Sequence, residues 1–271
     1  MKKLIAIEFA KLKKLNALRV ILLLYFVLSP LVVYALYSFF NTFMGPVIEL
    51  SDGGAKWNPF GFPDVWGFVT WCSSWFNVLM GVIVIIVMSN EYNYKTLKQN
   101  VIDGMSLKQV IAGKFFVVFI LSTIVTLYTM IVGLAYGLIN SETADVWNGF
   151  VEIPVYYLQT LCYFSFAFFF ATVVKRTALS IIFFIVSFIV EAIIGGMLSI
   201  AKLEVIYAFF PLNAFSKLTP FPILKEMVEA AQERNGNIPF MLDSWVNILV
   251  CLFYMALFFL VSLWVIKRRD L

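Results

Sequence analysis

Histidine is absent from all 271 residues. Its absence removes the usual proton shuttle near neutral pH, the commonest metal ligand, and Ser/His or Cys/His nucleophilic pairs. Charge is scarce, at 13% of residues where an average chain carries about 25%. Only three cysteines occur, Cys72, Cys162 and Cys251, each inside an apolar run and without CxxC or zinc spacing. They read as small buried hydrophobes. No GxxxxGK[ST] loop is present to cradle nucleotide phosphates, so the chain is not expected to be an enzyme or to hydrolyse ATP alone. Carboxylates are missing from the apolar runs except for Glu191, which leaves no paired acids for intramembrane hydrolysis. The first apolar run follows Lys11, Lys13, Lys14 and Arg19 and is not followed by a small-residue cleavage site, so it is not expected to be a removed signal peptide.

What remains is apolar: 62% hydrophobic residues, 18% of the chain being aromatic. That composition predicts an all-α integral membrane protein forming one domain over 1–271. Uncharged runs of about 20 residues are long enough to cross a bilayer. Six are expected, at 20–43, 66–89, 109–139, 153–174, 178–199 and 244–266. Pro30 lies inside the first, where neighbouring helices can satisfy the carbonyl it frees. Glu91 is expected to end the second. Trp57, Phe60, Phe62, Trp66 and Trp71 read as an interfacial aromatic belt. Residues 1–18 mix lysines with Leu4, Ile5, Phe9, Leu12 and Leu15 and predict an amphipathic helix lying on anionic lipid. Residues 200–240, broken by Pro211, Pro220 and Pro222, predict short helices at the outer membrane face, some re-entrant or surface-lying.

Six spans place both termini and the 91–114 segment on one side. That side holds 15 of the 20 Lys and Arg and 4 of the 16 Asp and Glu. The other holds 5 basic and 11 acidic residues, with Glu191 left within the membrane. The basic excess marks the cytoplasmic face.

The polar elbow between the second and third spans is the most informative stretch. Helix-forming residues run to Asp103, Gly104 suits a left-handed helix end, and Ser106 with Gln109 reads as a capping box for the next helix. The elbow is therefore expected as a short surface helix, a tight turn and the base of a span. Glu91, Thr96-Leu97, Ser106 and Gly113-Lys114 stand here in the order and spacing that resemble a motif of ABC-2-type permeases, the membrane subunits of type-2 ABC exporters. The chain differs at Lys95, Gly104 and Leu107, where that family often has Gly, Pro and Arg. The resemblance extends to the whole layout: an N-terminal interfacial helix, six spans, and short outer helices between the fifth and sixth.

That resemblance implies a permease subunit of an ATP-driven exporter in a bacterial inner (plasma) membrane, with both termini cytoplasmic. It implies a homodimer or a pair with a related permease, docked on two cytoplasmic ABC ATPase subunits that bind ATP-Mg. The chain itself would bind no cofactor, metal or nucleic acid, and would contact membrane lipids. Residues 91–106 would be the coupling segment, with Glu91, Tyr94, Lys95, Thr96, Leu97, Lys98, Asn100 and Val101 facing the ATPase. Gly104, Ser106 and Lys114 would form the turn and the base of the third helix. The lysines of this segment also suit orientation and headgroup contact. Glu191, followed by Gly195-Gly196, reads either as a path or gate residue or as a structural hydrogen-bonding group, since an ionisable side chain within a span faces protein or water. The competing class is an ion-coupled secondary transporter or channel, which would carry broken spans and polar residues near mid-membrane.

Overall fold

The computed structural model describes residues 15–40, 42, 58–93, 102, 107–141, 145–222 and 242–268. Among these residues the regular structure is entirely helical. The helices are α1 (Asn16–Phe39), α2 (Val65–Ser74), α3 (Asn77–Asn93), α4 (Leu107–Asn140), α5 (Glu152–Val174), α6 (Thr177–Ile200), α7 (Glu204–Ala208), α8 (Pro211–Ser216) and α9 (Ser244–Arg268). Five of them, α1, α4, α5, α6 and α9, are long and apolar enough to cross a membrane, and α2 with α3 makes a sixth if the bent pair counts as one.

The expected second span is corrected in two ways. It breaks after Ser74 and resumes at Asn77, and the two halves are bent by 47°. Glu91 lies inside the last turn of α3 rather than beyond it. The aromatic belt is also corrected in part. Trp66 and Phe60 are fully buried, not interfacial, and centre a second core with Val33, Val65, Phe68, Val69, Cys72, Val132 and Ile153. The indole N–H of Trp66 donates to the Val146 carbonyl at 3.0 Å, which explains how so large a polar-tipped ring is buried. Phe62 and Trp71 are half-buried. Residues 16–18 belong to α1, while the rest of the expected interfacial helix (1–14), like Trp57, lies outside the described residues. In the 200–240 region, Pro211 opens α8 at its first turn, where its missing N–H costs nothing. Residues 223–241 lie outside the described residues.

α5 is the hub: it packs on α3, α9, α4 and α6. Its end is set by Lys175, whose left-handed φ of 62° closes the helix before α6 begins. Pro30 sits within α1 and cannot donate to the Phe26 carbonyl one turn back. The Tyr128 hydroxyl of α4 donates to that carbonyl instead. All three cysteines are buried and free, and the Cys162 thiol points at the Cys251 carbonyl at 3.6 Å.

The bundle has two distinct ends. At one, Asn58 donates to the Asn140 carbonyl and the Phe62 N–H to the Ser141 hydroxyl. At the other stand Glu91, Lys114 and Lys175, the last with its ammonium 5.6 Å from the Tyr92 ring centre.

Candidate functional site

Glu91 and Lys114 are 23 positions apart in the chain yet form one ion pair. The Lys114 ammonium lies 2.7 Å from the Glu91 carboxylate, with side-chain exposures of 2% and 7%. Burial of either charge alone is costly, by several kcal/mol on the order-of-magnitude scale for real proteins, so the two stabilise each other only as a pair. The pair ties the last turn of α3 to the first turns of α4. It therefore closes the neck of the 94–106 segment. Val84, Val87, Met88, Val117, Val118 and Phe168 line, with Lys114, a cavity of about 10 Å³, room for about one water. Tyr92 and Lys175 extend the polar group at this end to the α5–α6 turn.

Two of the elbow residues are thus brought together. Tyr94, Lys95, Thr96, Leu97, Lys98, Asn100, Val101, Gly104 and Ser106 lie outside the described residues. Ile102 is helical and exposed.

Glu191 serves a second polar point near the opposite end. Its carboxylate accepts from the backbone N–H of Asn213 at 2.7 Å and of Leu212 at 3.2 Å. These are donors of the first turn of α8, which no residue within the helix can satisfy. Asn213 in turn donates through its side chain to the Tyr207 carbonyl at 3.1 Å. A carboxylate from α6 thereby pins the α7–α8 pair back onto the bundle. Gly195 lies beneath the Tyr207 ring, leaving no room for a Cβ, whereas Gly196 is exposed with nothing near it. The phenol of Tyr207, outside the long helices, is pushed above its ordinary pKa by burial and secondarily by the Glu191 charge. Sequence reasoning missed Asn213, Tyr207 and Lys175. Asn213 two residues after Pro211 was the available signal for a helix start in need of an acceptor.

The fold and these two points define an all-helical protein of multi-pass membrane character, with its polar groups gathered inside and at the ends of an apolar bundle. More narrowly, the chain belongs to the family described as a protein of unknown function, DUF2705, whose model matches residues 60–271. No curated protein and no solved structure matches it.

Proposed function

We propose that this chain is the membrane-spanning permease subunit of an ATP-driven ABC exporter, of the ABC-2 type. In this reading six spans cross the bacterial inner membrane with both termini cytoplasmic, α2 and α3 together making the second. Two copies, or this chain and a related permease, enclose the path, and two cytoplasmic ATPase subunits bind ATP-Mg and drive it. The observation that supports the reading most is the Glu91–Lys114 pair. It joins both feet of the 91–106 segment in one rigid neck, so a push on Thr96 and Leu97 tilts α3 and α4 together. Without the neck, a displaced loop would flex and transmit little force. Lys95 and Lys98 would meet the ATPase or anionic headgroups.

The test is co-purification with an ABC ATPase encoded beside this chain, followed by ATP hydrolysis in vesicles. Charged substitutions Thr96→Asp and Leu97→Asp are expected to abolish co-purification or coupled hydrolysis. Unchanged coupling, or solute movement by the chain alone, would remove the reading.

One observation favours the competing class. The break between α2 and α3 is the sort of discontinuous helix that ion-coupled secondary transporters use near mid-membrane. Solute flux driven by a sodium or proton gradient without an ATPase would decide for it.

A further inference from the structure

The break in the bent helix pair collects polar atoms that no protein group satisfies. Asn77, the first residue of α3, is fully buried, and both its amide oxygen and its amide nitrogen lack a partner. The Ser73 hydroxyl, one residue before the end of α2, is buried and orphaned as well. So is the hydroxyl of Tyr156 on α5.

These three groups lie together. Asn77 follows Ser73 by four residues across the break, and Phe76 between them packs against the Tyr25 ring, the ring centres 5.7 Å apart. Tyr25 of α1 supplies the other fixed point. Its hydroxyl bonds Thr129 Oγ1 at 2.9 Å, and the Ser73 and Tyr156 hydroxyls approach it without completing hydrogen bonds.

We propose that this break is an internal hydration site, in which ordered water bridges Asn77, Ser73 and Tyr156 beside the Tyr25–Thr129 pair. The ligand is water rather than a cation because the set mixes donors with acceptors. An amide NH₂ and several O–H groups face the site, and no unpaired carboxylate is among the described residues there. A site for a cation presents oxygens only. Buried water is retained where two to four polar groups can hold it, and water is one of the few agents that sustain a sharp helix bend. The hydrated break would let α2 and α3 pivot without parting an apolar packing surface. This inference is independent of any ATPase partner.

Radiolytic hydroxyl labelling read by mass spectrometry tests it on the full chain in lipid nanodiscs, since ordered water generates radicals at its own position. Tyr156 and Phe164 are equally buried on the same helix. Tyr156 is expected to label at least ~10-fold faster than Phe164, and Asn77→Leu to bring it down to the Phe164 rate. Ser73→Ala gives a second reading if Asn77→Leu fails to fold. It should slow Tyr156 labelling and lower the thermal midpoint. A dry orphaned hydroxyl would instead be relieved by this nearly isosteric change and the midpoint would rise. Equal labelling of Tyr156 and Phe164 overturns the proposal, as does labelling indifferent to both variants. Labelling of Tyr156 that is displaced by sodium or potassium would replace water with a cation and overturn it equally.

Discussion

Helices α5 and α6 are joined by two residues, and each is long enough to span a bilayer, but they are built in opposite ways. Most of the central stretch of α5 is buried, 67% against 17% for α6. Yet α6 is the more apolar of the two. Its surface exposes Ile182, Phe183, Ile185, Val186, Ile189 and Val190. The inside of α5 carries Gln159, Thr160, Ser165 and Thr172, all buried. In water-soluble folds burial and apolarity rise together. Here they are inverted, because the surroundings of the bundle are themselves apolar. These polar side chains inside α5 are satisfied by protein. Thr160, Ser165 and Thr172 bond back to the carbonyls one turn earlier. Gln159 reaches further, donating to the Phe215 carbonyl at 2.9 Å and accepting from the Thr219 hydroxyl at 3.0 Å.

The inversion is most severe at the Glu91–Lys114 pair, and breaking it has the largest expected effect. Lys114→Met takes the ammonium away from the buried Glu91 carboxylate and is expected to destabilise the chain by about 3–5 kcal/mol. Adding Glu91→Leu should recover most of that loss, because two packed apolar residues often replace a buried pair at little cost. Thermal unfolding of the purified single and double variants in one detergent makes the comparison. A double variant no more stable than the single would mean the pair does more than cancel two charges.

Next in size is a contrast within α6. Phe184 is wholly buried against Phe166, Phe170 and Phe188, while its neighbour Phe183 is 51% exposed. Phe184→Ala is expected to cost about 3–4 kcal/mol, and Phe183→Ala less than about 0.5 kcal/mol. The same unfolding assay reads both. A large cost at Phe183 would show that protein, not lipid, covers that face, as a second copy would.

Much of this division was legible in the sequence. The long helices α4, α5, α6 and α9 begin and end within about two residues of the runs expected from apolar length, a hydrophobic criterion that holds in either surrounding. Glu91 and Lys114 were singled out by the elbow motif, and Glu191 because an ionisable group within an apolar run is costly. What could not be read was pairing. Lys114 looked like one of four orienting lysines, and only the folded bundle brings it to Glu91. The bend at Trp75–Phe76 carries neither Pro nor Gly, so no local signal announces it; Asn77 within an apolar run was the one trace. Trp66 and Phe60 were misplaced because an aromatic residue near a helix end fits an interface and a core equally well. The second core becomes visible only when the 58–64 loop folds onto α4.

A smaller effect is expected at Gln159, the interior polar residue with the longest reach. Gln159→Leu keeps its volume but leaves the Thr219 hydroxyl without its acceptor and takes one donor from the Phe215 carbonyl, which keeps the Leu218 N–H, for a cost of about 2 kcal/mol. The loss should appear as loosening of the 211–222 region, read by faster proteolysis there than in the parent chain. Unchanged proteolysis would mean that Glu191 and Asn247, whose amide donates to the Ala214 carbonyl, hold α8 in place without Gln159.

The smallest effect, at Tyr128, tests the rule most cleanly. Tyr128 is half-buried, and its one hydrogen-bonding task is the Phe26 carbonyl that Pro30 leaves without a helical donor. Tyr128→Phe removes a single hydroxyl and is expected to cost about 1 kcal/mol, the usual net value of one hydrogen bond. Restoring the helical donor changes the outcome. In a Pro30→Ala background, the backbone N–H regained at that position can serve the Phe26 carbonyl, and Tyr128→Phe should then cost close to nothing. The double-mutant cycle therefore predicts a coupling of about 1 kcal/mol between two residues on different helices. A coupling near zero would mean that the Phe26 carbonyl tolerates being left unpaired. It would weaken the claim that the polar groups reaching from α4 to other helices are there to answer a particular acceptor.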